Sequence, residues 1–336
     1  MSAVLLLSVA AFFGMRYYSF LYEEPIADDE QEHVLFIPTG AHFEQVMDSL
    51  IALQVLADEE AFRWVAKVKK YAQQVKPGRY VLPAGMSNDD LVNKLRSGNQ
   101  DPVRVVIQQV RTLPELAALL SKYLEPDSSQ FIQALLADEP AATWGVNQAT
   151  MMTIFIPNTY EFFWNTSVDK ALERLHREYE RFWTNDRTAK ADAIGLSKDE
   201  VYTLASIVYA ETKMSDEADK IAGVYMNRLK QGIPLQADPT LIFALGDFTI
   251  KRVLNKDREV DSPYNTYANT GLTPGPINMP PIAWIDAVLN YEKHAYIFFC
   301  AKEDFSGYHN FAVTNAEHER NANRYQQALN QRKIYR

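Results

Sequence analysis

The residues whose types and spacing best suit acid–base chemistry lie between 203 and 240, in TLASIVYAETKMSDEADKIAGVYMNRLKQGIPLQADPT. Ser197 and Glu200 have the three-residue spacing of a capping box, which predicts a helix start just before an apolar run. Val201, Leu204, Ala205 and Val208 recur at offsets 0, 3, 4 and 7, the period of an apolar helix stripe. At about 100° per residue Glu211 projects within about 20° of Leu204, so a carboxyl is carried on the face expected to turn inward. Desolvation disfavours its ionised form and raises its pKa, which suits a general acid near neutral pH. The plainer alternative is a solvated carboxylate in a fraying last turn beside Lys213.

A second helix is expected over about Asp216–Gln231, with Ile221, Val224 and Leu229 inward and Gly232 as its C′ residue. The polar loop from Pro234 to Thr240 follows, stiffened by Pro234 and Pro239. Its Gln236, Asp238 and Thr240 carry side chains able to grip hydroxyls and amides. Tyr264, Asn265, Thr266 and Tyr267 form another such group: aromatic faces stack on sugar C–H surfaces while amides and hydroxyls bond ring substituents. A proline-stiffened structural turn is the alternative for that stretch.

LASIVYAET, KIAGVYMNRLKQGIPLQADPTLIFALG and YNTYANTGLTPGPI, in that order and at matching spacings, resemble the signature series of the YceG-like (MltG-type) endolytic murein transglycosylases. The resemblance extends over roughly residues 33–325. It implies that Glu211 is the catalytic acid. The series departs from the family pattern at several positions. Tyr209 stands where a first Glu is usual, Gln108-Gln109-Val110-Arg111 where a Glu-Gly pair is usual, Asn158 where PDTY has Asp, Thr273 for a Pro and Glu319 for an Asn. His318 matches a family His. Glu161, in the PNTYEF block, is a candidate second acid or a hydrogen-bonding partner in a turn. Asp238 is another possible second carboxylate, at a position the resemblance assigns to substrate contact.

With 336 residues, 47% of them hydrophobic, the chain suits about two domains. Mixed strand and helix runs without regular βαβ alternation indicate an α+β fold. A net charge of −9 and the lack of a basic stripe argue against nucleic acid. No zinc-type Cys/His spacing or phosphate loop occurs, so neither metal nor cofactor is expected. The single cysteine, Cys300, sits in AYIFFCA, which reads as a buried core strand.

Residues 1–22 carry one charge, Arg16, and are long enough for a transmembrane anchor, with Tyr17, Tyr18 and Tyr22 at an interface belt. A cleaved signal peptide is the rival, weakened by the lack of a small-x-small site late enough in the run. No basic residue precedes the apolar run, and none follows Arg16 until Arg63. The resulting expectation is a single pass through the inner (cytoplasmic) membrane with the bulk of the chain on the periplasmic or extracytoplasmic side. Six carboxylates within 23–32 predict a solvated acidic linker. Residues 33–100, with IPTG and KPGRYVLPAGMSNDDLVNKLRSG, match the family's LysM-like domain, which implies N-acetylglucosamine-polymer binding or a spacer role. Residues 101–336 are then the catalytic domain, in which the charged stretch Asp247–Ser262 is a surface insertion.

The resemblance implies cleavage between N-acetylmuramic acid and N-acetylglucosamine in nascent glycan strands, leaving 1,6-anhydro ends and terminating chains. Ser206, one turn before Glu211, and Gln236 are candidates to hold the carboxyl or the acetamido group. Peptidoglycan strands, and a membrane glycan-polymerising synthase, are the expected partners. Two rivals remain: a lysozyme-like muramidase, which needs a second carboxylate, and a non-catalytic peptidoglycan-binding scaffold, which does not need Glu211.

Overall fold

The structure is a computed structural model that describes residues 2–22, 32–250 and 252–332. Most of the acidic linker and the basic C-terminal end therefore lie outside the described residues. The fold is α+β, with helices predominating and three two-stranded sheets among the described residues.

The chain divides into two units, the first holding residues 1–105, 121–127 and 160–167 and the second the remainder. In the first unit the order is α1 (Ser2–Tyr22), β1 (His33–Ile37), α2 (Phe43–Ala52), α3 (Glu59–Val68), β2 (Gly78–Leu82) and α4 (Asn88–Ser97). β1 and β2 pair antiparallel with Leu35 opposite Tyr80, and both side chains are fully buried. The period-2 alternation of β1 puts Leu35 and Ile37 inward and leaves Phe36 exposed. Val46, Met47 and Leu50 of α2, Phe62 and Val65 of α3 and Leu91 and Leu95 of α4 complete that core. Asp58 caps α3, accepting from the Glu60 and Ala61 N–H groups, and Ser87 caps α4 in the same way through Asp90.

The boundary between units is not a single point near residue 100. Glu125 accepts from the Thr39 N–H and hydroxyl, both at 2.6 Å. Trp164 sets its ring 5.1 Å from that of Phe36, and Asn165 donates to the Pro77 carbonyl. These long-range bonds bring two short returns of the chain onto the N-terminal unit, and no local pattern signals them.

α1 is helical as expected, but among the described residues no helix is long and apolar enough to cross a membrane. Its C-terminal end packs: Leu21 is buried, Phe20 meets Trp64, and the Phe20 carbonyl accepts from Asn88. Leu7, Phe13 and Met15 stand exposed.

β3 (Val103–Ile107) pairs with β4 (Asn158–Phe162). Between them run α5 (Leu113–Ser121), α6 (Ser128–Leu136) and α7 (Asp138–Trp144). The PNTYEF block, expected as a turn, is largely strand β4. The second unit continues with α8 (Val168–Phe182), α9 (Asn185–Ile194), α10 (Lys198–Glu211), α11 (Ala218–Gln231), α12 (Asp238–Leu245) and α13 (Ile282–Leu289). It ends with the hairpin β5 (Phe298–Ala301) and β6 (His309–Ala312), then α14 (Asn315–Gln331).

α10 is the axis of this unit. Its N-terminus has the capping box: the Ser197 hydroxyl accepts from the Glu200 N–H and the Glu200 carboxylate from the Ser197 N–H. The single inward stripe is a correction, since every residue from Val201 to Val208 is buried. α9, α11, α12 and α13 surround the helix, so both its apolar and its small polar positions are enclosed. Gly223 lets α11 approach the Glu292 carbonyl, which a Cβ would meet at 2.3 Å.

Candidate active site

Glu211 is the last residue of α10, where the buried helix reaches a cleft of about 550 Å³. The cleft wall comes from α11, the 234–238 loop, Arg258 and Tyr267, the β5–β6 hairpin and the start of α14. Glu211 Oε1 accepts a hydrogen bond from the Tyr225 hydroxyl at 2.8 Å. Its pKa is raised from an ordinary 4.5 to about 7. Desolvation is the main cause; the Tyr225 hydrogen bond opposes it, the Asp238 carboxylate adds to it, and His309 opposes it weakly. Tyr225 is held well above its ordinary pKa by burial and by Glu211, and so remains a donor.

Loop 234–238 is fixed from two sides. Arg228 of α11 donates from Nε to the Ile297 carbonyl and from Nη1 to the Pro234 and Leu235 carbonyls and to Gln236 Oε1. On the other side the Gln236 N–H donates to the Thr266 carbonyl and the Ala237 N–H to the Thr266 hydroxyl, which in turn meets the Thr240 hydroxyl at 2.8 Å. These bonds hold Gln236 at φ 54°, a left-handed conformation that non-glycine residues seldom adopt. The Tyr267 hydroxyl donates to Asp238 Oδ1 at 2.6 Å, and the Arg258 guanidinium lies 4.7 Å over the Tyr267 ring.

The structure thus brings Glu211, Gln236, Asp238 and Tyr267 to one cleft. Thr240, Asn265 and Thr266 are buried behind it. Asn265 there donates to the Arg258 and Val260 carbonyls and accepts from the Tyr267 N–H. Ser206 is fully buried: its hydroxyl donates to the Thr203 carbonyl and accepts from the Ile277 N–H, and it does not line the cleft. Tyr264 packs its ring 4.8 Å from Phe243, outside the cleft lining. Glu161 is an exposed strand residue and is likewise not part of that lining.

Several cleft residues escape sequence reasoning, and His318 is marked there only by its match to a family His. Tyr225 lies 14 residues beyond Glu211 on a different helix, and its tyrosine type alone carries no signal. His309 donates from Nδ1 to Glu217 at 2.7 Å, while its backbone N–H binds the other Glu217 oxygen. His318 stacks on Phe298, is pushed down in pKa by burial and by Arg228, and has Nδ1 buried without a partner. Arg258, from the stretch expected as a mere surface insertion, also lines the cleft. Cys300 is a correction: it is half-buried in the cleft wall, and burial holds its thiol high in pKa. No group of acids, histidines and cysteine among the described residues has a metal-holding arrangement.

Three departures from the motif pattern meet in space. Gln108, Gln109, Asn158 and Tyr209 line one hollow of about 270 Å³, so positions that carry acids in the pattern are neutral here together. Gln109 has φ 57°, a left-handed conformation that non-glycine residues seldom adopt.

Relatives place this geometry in context. The chain is 31% identical over 329 residues to the endolytic murein transglycosylase of Bacillus subtilis strain 168, covering 92% of this chain and 89% of that protein. The protein of the same name from Streptococcus pneumoniae serotype 2 strain D39 is 25% identical, with 94% of this chain matching 62% of its greater length. A crystal structure of a yceG-like protein from Listeria monocytogenes superposes with a TM-score of 0.60 at 26% identity, over 87% of this chain and 99% of that one. The model of the YceG-like family matches residues 35–324. The chain, with its Glu211 cleft, belongs to the YceG-like family.

Proposed function

We propose that the protein is an endolytic murein transglycosylase that cuts peptidoglycan glycan strands by means of a single acid, Glu211. The observation that carries this is the Glu211 carboxyl itself, held by Tyr225 in the cleft with a pKa of about 7. A group at that pKa is available as acid and as base at neutral pH.

Protonated Glu211 gives its proton to the oxygen linking N-acetylmuramic acid to N-acetylglucosamine, and the C1–O bond breaks. The C6 hydroxyl of the muramyl sugar then attacks C1, and its proton passes to the Glu211 carboxylate. The enzyme is returned to its starting state, no water is consumed, and the new end is a 1,6-anhydro sugar. Tyr225 orients the carboxyl and steadies its ionised form between the two proton transfers. Gln236 and the paired Asp238 and Tyr267 present polar groups to sugar substituents, and Phe298 and Phe299 supply apolar wall.

A muramidase is the second reading, because Asp238 lines the same cleft as Glu211 and raises its pKa electrostatically. In that chemistry a second carboxylate stabilises C1 or activates water. Digestion of uncrosslinked strands with wild type and Glu211→Gln tests the role of Glu211. Internal fragments made by the wild type and lost in the variant are expected, and a variant that cuts at the wild-type rate contradicts it.

The first unit is proposed as a LysM-like glycan-holding module, and a membrane synthase as a partner that supplies nascent strands. The exposed apolar side chains of α1 support an N-terminal membrane anchor with the catalytic unit on the extracytoplasmic side. Deleting residues 2–22 is expected to move the protein from the membrane pellet to the supernatant; continued sedimentation of the truncated protein would refute the anchor.

A further inference from the structure

A second cleft, of about 580 Å³, is walled in part by the direct chain neighbours of residues that line the first. Ala210, immediately before Glu211, and Pro239, immediately after Asp238, belong to its wall. It holds two cations. Arg111 sits on a loop pinned by the Met279 N–H to the Val110 carbonyl, with its own N–H on Glu115 and its guanidinium 4.6 Å over the Phe248 ring. Lys213 donates to the Tyr209 carbonyl at 2.7 Å and lies against the Tyr209 ring. Neither side chain forms an ion pair among the described residues. Glu115, the one acid of the wall, is engaged by a backbone N–H.

The geometry points to this Arg111–Lys213 cleft as a subsite for a carboxylate-bearing substituent of the glycan strand, of the kind that peptide stems on muramyl lactyl groups present. It rests on the glycan-cutting function proposed above. Two cations facing one space repel each other. Lys213 has its pKa lowered by burial and by Arg111, so an anion between them relieves a cost already present in the empty cleft. Arg111 brings a planar fork that matches a carboxylate, and Lys213 a point charge. Phe243, Phe248 and Ile242 give the same cleft apolar wall for methyl and methylene groups beside the charge. Tyr209 is central: a carboxylate at that position, as in the motif pattern, would engage Lys213 itself. The neutral ring leaves the ammonium for a ligand.

The test compares two forms of the same purified strands, one with free stem carboxylates and one with those carboxylates converted to methyl amides. Affinity is measured with the non-cutting Glu211→Gln protein. It should bind the free-carboxylate strands about three- to ten-fold tighter, the size expected for two partly exposed charge pairs. Arg111→Gln with Lys213→Gln in that background should bring the two affinities together by weakening only the free-carboxylate strands. Arg111→Lys with Lys213→Arg should keep the preference. Equal affinities in the parent protein, or a preference that survives the Gln pair, would overturn the subsite. Failure of the wild type to cut any strand would count against the glycan-cutting function while leaving this binding ratio to decide the subsite.

Discussion

Replacing Glu211 by Gln removes a group that the folded protein holds in an unfavourable ionisation state, and the consequence for stability can be worked out. The carboxyl has a pKa of about 7 folded against 4.5 ordinarily. A pKa raised by folding means that the folded state binds the proton more tightly than the unfolded one. Its contribution is fully present below pH 4.5 and is lost as pH rises through 7. Two and a half pH units correspond to about 3 kcal/mol, and the opening of the cleft to solvent discounts this to about 2 kcal/mol. Glu211→Gln, which keeps an acceptor for Tyr225, is therefore expected to match the wild type near pH 4.5. It should exceed the wild type by about 2 kcal/mol at pH 8. Urea unfolding of both proteins at several pH values measures the difference directly. A gap that stays constant with pH, or one that grows toward acid, would refute the account of a desolvated carboxyl.

Tyr225→Phe removes the donor that favours ionised Glu211, so the alkaline limb of the pH–activity profile should move upward by about one unit; an unmoved limb would show that the hydroxyl does not act on this carboxyl. Thr266→Val leaves the Ala237 N–H and the Thr240 hydroxyl without this partner and should cost about 1–3 kcal/mol in unfolding experiments. The same change should raise KM more than it lowers kcat, because it loosens the Gln236–Asp238 wall, and an unchanged KM would count against that wall as a glycan contact. Ser206→Ala should cost a similar amount by stripping the Ile277 N–H of its acceptor while leaving KM within about two-fold of wild type. A large KM effect would return Ser206 to the substrate.

What the sequence made legible was local. The Ser197–Glu200 box and the Gly232 stop each depend on neighbours a few residues apart, and the structure has them; the proline-bounded 234–240 stretch is loop only as far as Ala237, because Asp238-Pro239-Thr240 open α12. The position of Glu211 at a cleft followed less directly. A stripe places it inward, whereas α10 is enclosed on every side from Val201 to Val208 and Glu211 meets the cleft in the last turn, where that enclosure ends. Tyr225, His309, His318 and Arg258 come to the cleft through packing of α11, the β5–β6 hairpin, α14 and the 247–262 stretch. Such long-range juxtaposition leaves no period in the chain. Polar residues of the YNTY block divided for a related reason: Tyr267 points to the cleft while Asn265 and Thr266 satisfy buried backbone groups, a distinction set by which carbonyls and N–H groups need partners. Cys300 reads as core from its apolar run, whereas all four residues of β5 are half-buried and line the cleft, which an apolar run does not reveal.

The most direct test of the single-acid mechanism is digestion of uncrosslinked glycan strands in heavy-oxygen water, with mass spectrometry of the new ends. Transfer to the C6 hydroxyl predicts ends lighter than hydrolysis products by one water and free of the heavy oxygen, formed by the wild type and lost in Glu211→Gln. Reducing ends carrying heavy oxygen at C1 would contradict it and identify a hydrolase, with Asp238 as the second carboxylate to examine.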